Sequence, residues 1–348
     1  MRIARVILAF ILGICLTFCG RNSPTGALNV RLGYFPNITH AQANVGLSRG
    51  IYQKHLGRSL QLSPKIFNAG PSAIEALLAG ELDLLYVGPS PALNGYLRSG
   101  GQALKVIAGA ASGGTVFVAR KDVQLSRKED FAGKRIASPQ IGNTQDISLR
   151  NYMGQMGLAP KERGGTVTIL PIANPDILSL FLRNELDAAW VPEPWGSILV
   201  RTAGARILLD ERDLWPGHRF ATTVVVAAKR FLDQQPDLVK RFLKGHVETT
   251  LWIRQNHPEA LRILNQEIAR LTHKALPEEV IEEAMGRVEV TWDPLTSSID
   301  SLYKRSVELR YSKRGNLQQL CDLRLLNEVL REAGFPEISV SQGRNCQP

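Results

Sequence analysis

Short apolar stretches of the chain alternate with longer segments of helical periodicity, and small or polar residues join the two kinds. The alternation predicts strands at the apolar stretches, which in the first third of the chain are 28–35, 60–67, 82–87, 106–111 and 115–119. Helices are predicted between them, over about 41–56, 73–79 and from position 91 onward. Because most connections have 2 to 6 residues, the pattern is typical of parallel sheets covered by helices.

The same pattern then restarts, which predicts a second unit. Its strands are predicted at 134–138, 167–171, 188–191, 207–209 and 222–227, and the chain beyond position 229 is mainly helical in character. At an offset of 104 residues, 69–87 matches 173–191 with seven identities in nineteen positions. We therefore expect two related α/β lobes that face each other across a cleft, a favoured place for a small ligand.

The chain begins with the pattern of an export signal. Arg2 and Arg5 precede an uncharged run over 6–19, which is shorter than the roughly 20 residues of a transmembrane helix and typical of the apolar core of a secretory signal. The stretch LTFCG is similar to a bacterial lipobox and makes Cys19 the candidate for lipidation, although Phe18 departs from the small residue usual at that place. A cut after Ala27 would release a freely soluble protein instead, so export is predicted by both routes.

Composition excludes several classes of protein. Apolar residues make up 44% and charged residues 21% of the 348, which argues against a disordered chain or a coiled coil. The 42 Lys and Arg outnumber the 32 Asp and Glu, for a net charge of +10, which fits either an anionic partner or solvated basic faces. No zinc spacing occurs among the cysteines and histidines, so neither a metal nor another cofactor is expected. Cys321 and Cys346, outside the signal, form a disulfide or remain free thiols.

Candidate binding residues lie in the loops that follow predicted strands and open helices. Such helix starts leave backbone N–H groups unpaired and carry partial positive charge, so they bind anions. Neutral donors there hold an oxyanion without burying an opposing charge. The same residue types also cap helices, so capping is the alternative for each of them. These loops contain Asn37, His40, Gly70, Ser72, Gly88, Ser90, Asn143, Thr144, Gln145 and Asn174.

A further candidate segment is PEPWG at 192–196. Trp195 is a candidate contact for the carbon portion of a ligand, with core packing as the alternative. Glu193 is a candidate acceptor for an amino group, or a residue that pairs across the cleft and closes the lobes. The sequence contains no GxSxG, Walker A, HExxH or post-strand GxGxxG motif, which favours binding over catalysis.

Four stretches of the sequence resemble the nitrate, sulfonate and taurine family of ABC-transporter substrate-binding proteins, with the closest likeness to its aliphatic-sulfonate branch. They are GYFPNITHAQANVGLSRGIY (33–52), VGPSPALNGYL (87–97), KRIASPQIGNTQD (134–146) and ELDAAWVPEPWGS (185–197). The resemblance implies a type II periplasmic-binding-protein fold, an α/β fold with two lobes, a ligand cleft and two crossing strands. After a leader at 1–27, lobe one would comprise 28–118 plus 222–348, and lobe two 119–221.

The same resemblance implies the site and the partners. Ligand contacts carry over to Asn37, His40, Ser72, Ser90, Gln140, Asn143, Thr144, Glu193 and Trp195. The expected protein is an exported, monomeric binding subunit that captures an aliphatic sulfonate and delivers it to the permease and ATPase of an importer, without contacting nucleic acid. Taurine, nitrate and bicarbonate are alternative ligands. An enzyme on the same fold, of the pyrimidine-precursor or menaquinone-pathway type, and an exported ligand sensor are the alternative functions.

Overall fold

The computed structural model describes residues 29–339. The predicted leader, Cys19 and Cys346 lie outside this range. Among the described residues, no helix is both long and apolar enough to cross a membrane, and Cys321 is a free thiol.

Strands and helices alternate through the first two thirds of the described chain. The strands are β1 (Asn29–Tyr34), β2 (Gln61–Ile66), β3 (Leu84–Val87), β4 (Leu104–Gly113), β5 (Thr115–Ala119), β6 (Arg135–Ser138), β7 (Thr168–Pro171), β8 (Ala188–Pro192), β9 (Arg206–Asp210), β10 (Ala221–Ala228) and β11 (Val288–Val290). The helices are α1 (Ala41–Ser48), α2 (Ile51–Leu56), α3 (Gly70–Leu78), α4 (Pro89–Arg98), α5 (Thr144–Gln155), α6 (Asn174–Leu182), α7 (Trp195–Ala203), α8 (Lys229–Gln234), α9 (Pro236–Gln255), α10 (His257–Thr272), α11 (Glu278–Met285), α12 (Thr296–Glu308) and α13 (Arg324–Glu332). Short 3₁₀ helices occupy Ile38–His40, Lys128–Phe131, Lys161–Arg163, Glu211–Leu214 and Pro216–His218.

The strands form two sheets, one for each lobe. The first has the order β11-β4-β10-β3-β1-β2 and the second the order β7-β6-β8-β5-β9. Each lobe also has its own buried apolar core, with Phe242 and Tyr86 in the first lobe and Phe117 and Trp190 in the second. The expected fold class, two α/β lobes with crossing strands, is confirmed.

The prediction of purely parallel sheets is wrong for one strand in the middle of each sheet and for β11 at the edge of the first sheet, which runs antiparallel to β4. β10 runs antiparallel to β3 and β4, and β5 runs antiparallel to β8 and β9. These are the strands that the chain forms immediately after it enters from the other lobe, so they begin at the edge where their neighbours end. The predicted helix over 41–56 is likewise two helices, because Gly50 adopts a left-handed conformation (φ 66°) between α1 and α2.

The chain passes between the sheets at two adjacent places. The first crossing is Gly113–Gly114, where both residues have positive φ (75° and 72°), a conformation that glycine adopts without steric cost. The second crossing runs between Asp210 and Ala221. The Thr222 hydroxyl donates to the carbonyl of Gly113, so a side-chain hydrogen bond links the two crossings where the lobes meet.

The sequence repeat corresponds to a duplicated structural unit. Asp83 precedes β3 and accepts hydrogen bonds from the backbone N–H and Nε of Arg31, both at 2.9 Å. Asp187 precedes β8 and accepts from the backbone N–H of Arg135 at 2.7 Å and from its Nε at 3.5 Å. Since both pairs keep the offset of 104 residues, the same carboxylate–guanidinium pair joins two parallel strands in each lobe.

Candidate functional site

A small cavity lies between the lobes, at the carboxyl ends of the parallel strands. This edge of a sheet is where open α/β folds bind ligands. The cavity volume is about 30 Å³, against the roughly 10–15 Å³ that one water needs by the same measure. The two lobes therefore enclose only a small space at this point.

Most of the candidates in the strand–helix loops line this cavity. β1, β2 and β3 of the first lobe and β6 of the second lead into the loops that carry them. They are Asn37, His40, Gly70, Gly88, Asn143, Thr144 and Gln145, and Asn174 after β7 also lines the cavity. Residues of both lobes, such as Asn37 and Asn143, which are 106 positions apart in the sequence, thus come together around one space.

The helix starts of both lobes converge on the same space. Gly70 begins α3, Thr144 begins α5 and Asn174 begins α6, and all three line the cavity. The N-terminus of α4 follows directly after Gly88. Unpaired N–H groups and the positive end of each helix dipole favour an anion at such a point.

His40 is a neutral donor in this cavity. Its ring stacks on Phe35 with 4.4 Å between centroids, and its Nδ1 accepts from the backbone N–H of Phe35 at 3.3 Å. Burial lowers the pKa of His40 to about 3. The neutral ring therefore carries its proton on Nε2, the atom left to donate to a ligand.

No Lys, Arg, Asp or Glu of the described chain lines the cavity. The polar lining consists of amides, hydroxyls, the neutral imidazole and backbone groups. Asn143 serves two purposes, because its Oδ1 caps α5 by accepting from Asp146 N at 2.7 Å, which leaves its NH₂ group as a donor. Such a lining suits an oxyanion held by neutral donors.

Two neutral hydrogen bonds cross between the lobes beside the cavity. The backbone N–H of Ser90 donates to Thr144 Oγ1 at 3.3 Å, and Trp195 Nε1 donates to Asn37 Oδ1, also at 3.3 Å. Gly88 lies at the first of these contacts, and a Cβ there would be 2.5 Å from Thr144 Oγ1. Only a glycine allows the lobes to approach this closely at that point.

Glu193 lies beside the first crossing. It is close to the cavity but does not line it. Its backbone N–H donates to Gly114 O at 2.9 Å. Its fully buried carboxylate accepts from Ser197 N and from Arg287 Nη1, both at 3.0 Å. Burial raises the pKa of Glu193, and the hydrogen bond from Ser197 and the charge of Arg287 oppose that shift. Glu193 is therefore paired with Arg287, which lies in the C-terminal part of the chain.

The remaining candidates do not line the cavity. The Ser72 side chain is exposed, and its hydroxyl donates to Ala69 O at 2.9 Å. Gln140 Oε1 and Ser90 Oγ are buried without a hydrogen-bond partner in the described chain. Trp195 contacts the site only through its hydrogen bond to Asn37.

Sequence reasoning missed several lining residues. Thr222 and Thr223 begin β10, and Asn68 and Pro139 flank loops that were otherwise identified. The predicted candidates lie in loops that follow strands, whereas β10 is antiparallel and reaches the cavity with its first residues. A threonine pair at the start of a crossing strand is the signal that would have found them.

The fold is that of a two-lobed α/β protein with a small cavity between its lobes. A Brucella abortus protein named as a binding protein is 27% identical over 236 residues, which are 67% of this chain and 69% of its own length. The taurine-binding periplasmic protein of Escherichia coli is 26% identical over 222 residues, 64% of this chain and 65% of that protein. The alkanesulfonate-binding protein of Xanthomonas axonopodis pv. citri, solved with MOPS bound, shares the fold with a TM-score of 0.66 at 20% identity, over 86% of this chain and 97% of its own.

A family model described as the NMT1-like family matches residues 24–269. The chain belongs to that family.

Proposed function

We propose that the protein is the exported substrate-binding subunit of an ABC importer and that it captures a small organic anion, an aliphatic sulfonate, by closure of its lobes. The observation that carries the proposal is the closed cavity in which helix starts and neutral donors from both lobes converge. A sulfonate presents three oxygens and one negative charge, which several weak donors can share. Taurine, itself a sulfonate, and the planar oxyanions nitrate and bicarbonate can accept hydrogen bonds from the same donors and are the alternative ligands.

Closure is the step by which binding would be signalled. In the proposed division, lobe one (28–118 and 222–348) and lobe two (119–221) rotate about the linked crossings. A ligand bridging Asn37 and His40 of one lobe and Asn143 and Thr144 of the other binds the closed form better, and this difference in affinity shifts the equilibrium. The membrane permease and its ATPase would read the closed form. A lipid on Cys19 would keep the protein near them.

Binding without catalysis is supported by the chemistry of the lining. The cavity residues of the described chain include no carboxylate, thiol or lysine to serve as nucleophile or general base. His40 has its Nδ1 occupied and, with a pKa of about 3, is a poor base at neutral pH. Absence of turnover of each bound anion by the purified protein is the expected result.

The testing experiment is a thermal-shift and calorimetric screen of the mature protein against methanesulfonate, longer alkanesulfonates, taurine, nitrate and bicarbonate. At 100 times its dissociation constant, a ligand that binds only the folded state stabilises it by about 2.7 kcal/mol. The expected result is such a shift with one sulfonate or more, with a weaker one for the inorganic anions. No stabilisation by any of these anions would contradict the proposal.

A further inference from the structure

A hydrogen-bond network outside the cavity fixes the loop that precedes α5. Asp146 is fully buried, and its carboxylate accepts from Ser138 Oγ at 3.0 Å and from Gly142 N at 2.9 Å. Its backbone N–H is the group capped by Asn143. These bonds set the shape of the loop that brings Asn143 and Thr144 to the cavity.

The negative charge of the Asp146 carboxylate disfavours an anion bound in the nearby cavity. Asp146 lies in the first turn of α5, at the end of the helix that borders the cavity. A carboxylate interacts favourably with the positive end of the helix dipole, but an uncompensated negative charge there would cancel part of that positive potential and repel a bound anion. The candidate site therefore needs a positive charge beside Asp146 that does not itself enter the cavity.

Arg150 supplies that charge from one turn further along α5. Its Nε donates to Asp146 Oδ1 at 2.9 Å, and its side chain is only 4% exposed. Its Nη1 donates to Glu162 at 2.6 Å, so the guanidinium is held on two sides within the second lobe.

The first lobe contacts the same guanidinium. The ring of Tyr311, which follows α12, has its centroid 5.2 Å from Cζ of Arg150 and 5.7 Å from Cζ of Arg163. Arg163 also donates to Leu309 O. A cation–π contact over this range is attractive, and here it joins residues 161 positions apart across the boundary between the lobes.

We propose that Arg150 is a positioning residue of the anion site: it neutralises Asp146 beneath the loop that carries Asn143 and Thr144, and Tyr311 stacks on it when the lobes close. This inference rests on the proposed function, since it assumes that the cavity binds an anion by closure. The proposal extends the site to residues that do not line the cavity. Anion affinity then depends on the opposite charges of Arg150 and Asp146 behind the loop.

The variants that test the charge balance are Arg150→Gln, Asp146→Asn and the two combined. Their affinities for taurine, methanesulfonate and nitrate are measured by calorimetry. Arg150→Gln leaves Asp146 uncompensated and is expected to weaken anion binding about tenfold or more. The double variant removes both charges and is expected to recover to within about threefold of wild type. A double variant as weak as Arg150→Gln would overturn the compensating role, because a purely structural Arg150 gives no recovery.

Arg150→Lys is the second variant, in case Arg150→Gln does not fold. It keeps the charge but loses the planar fork that reaches two carboxylates, so it is expected to bind anions within about threefold of wild type. A loss as large as that of Arg150→Gln would show that geometry, and not charge, is what Arg150 contributes.

Tyr311→Ala and Tyr311→Phe test the contact between the lobes. The phenylalanine keeps the aromatic face and is the matched control, expected to bind as wild type does. The alanine is expected to weaken anion binding about threefold and to increase the radius of gyration of the ligand-bound protein in small-angle X-ray scattering. Equal affinity and equal compactness of both variants would remove Tyr311 from the proposal.

A ligand-free measurement separates this inference from the proposed function. If none of the anions binds wild type, the proposed function fails, and the charge balance is then decided by urea unfolding. The two single substitutions are expected to be non-additive, with the double variant less destabilised than their sum. Additive effects would overturn the pairing of Arg150 with Asp146 whatever the ligand is.

Discussion

Substitution of Gly88 by alanine tests whether closure of the lobes limits ligand affinity. Gly88 has φ −64°, a value that alanine adopts freely, so the change adds one methyl group without backbone strain. That methyl carbon would lie 2.5 Å from Thr144 Oγ1 and 3.4 Å from Thr144 Cβ, although optimal heavy-atom separations are about 3.5–4 Å. The lobes must therefore separate by about 1 Å at this point, or the contact must stay strained.

The size of the effect follows from where the strain arises. Overpacking by a methyl group costs about 1–3 kcal/mol, and here the cost falls on the closed form alone. Since about 1.4 kcal/mol is a tenfold change, Gly88→Ala is expected to weaken ligand binding by about 5- to 150-fold. Calorimetry with the anion selected by the screen measures the affinity, and small-angle scattering at saturating ligand measures how far the lobes close.

Gly154→Ala is the matched control. Gly154 is in α5, and a Cβ there would meet no atom within 4 Å. This variant is expected to bind as wild type does and to be more stable by about 0.5–1 kcal/mol, the usual gain for alanine in a helix. Wild-type affinity and wild-type compactness in Gly88→Ala would refute the reasoning that the approach of the lobes at Thr144 is limiting.

Three further results are expected. Burial lowers the pKa of His246 to about 4 from 6.5, so its contribution to stability is present above pH 6.5 and is lost as the pH falls toward 4. Between pH 7 and 4.5, urea unfolding should show wild type losing about 2–3 kcal/mol more stability than His246→Asn, and equal losses would contradict this. Asp83→Asn should destabilise the protein by about 2–3 kcal/mol in the same assay without changing anion affinity, and a matching loss of affinity would count against a purely structural pair. Trp195→Phe, which removes the 3.3 Å bond to Asn37, should weaken binding about two- to tenfold in calorimetry, whereas Ser72→Ala should not alter it.

The sequence predicted the lobes and the cavity edge because both depend on local patterns. Strand periodicity placed the ends of β1, β3 and β6, and the small polar residues after them, such as Asn37 and Thr144, had to meet at one edge of two facing sheets. The contribution of Thr222 was not predicted, because the direction of a crossing strand depends on tertiary connectivity. The contact of Arg150 with Tyr311 was not predicted either, since neither residue carries a local signal for a partner on the other lobe.

The duplicated pair of Asp83 with Arg31 and Asp187 with Arg135 lies at the amino-terminal end of β3 and β8, away from the cavity at the carboxyl ends. β3 and β8 each have an amino-terminal end whose carboxylate–guanidinium pair joins two strands, and a carboxyl end that lies at the cavity. Under the proposed function, substitutions in the loops after the strands are expected to alter which anion binds, while the guanidinium–carboxylate pairs keep both sheets assembled. The loops that follow β3 and β8 are thus separated by the length of each strand from the contacts that join these strands to β1 and β6.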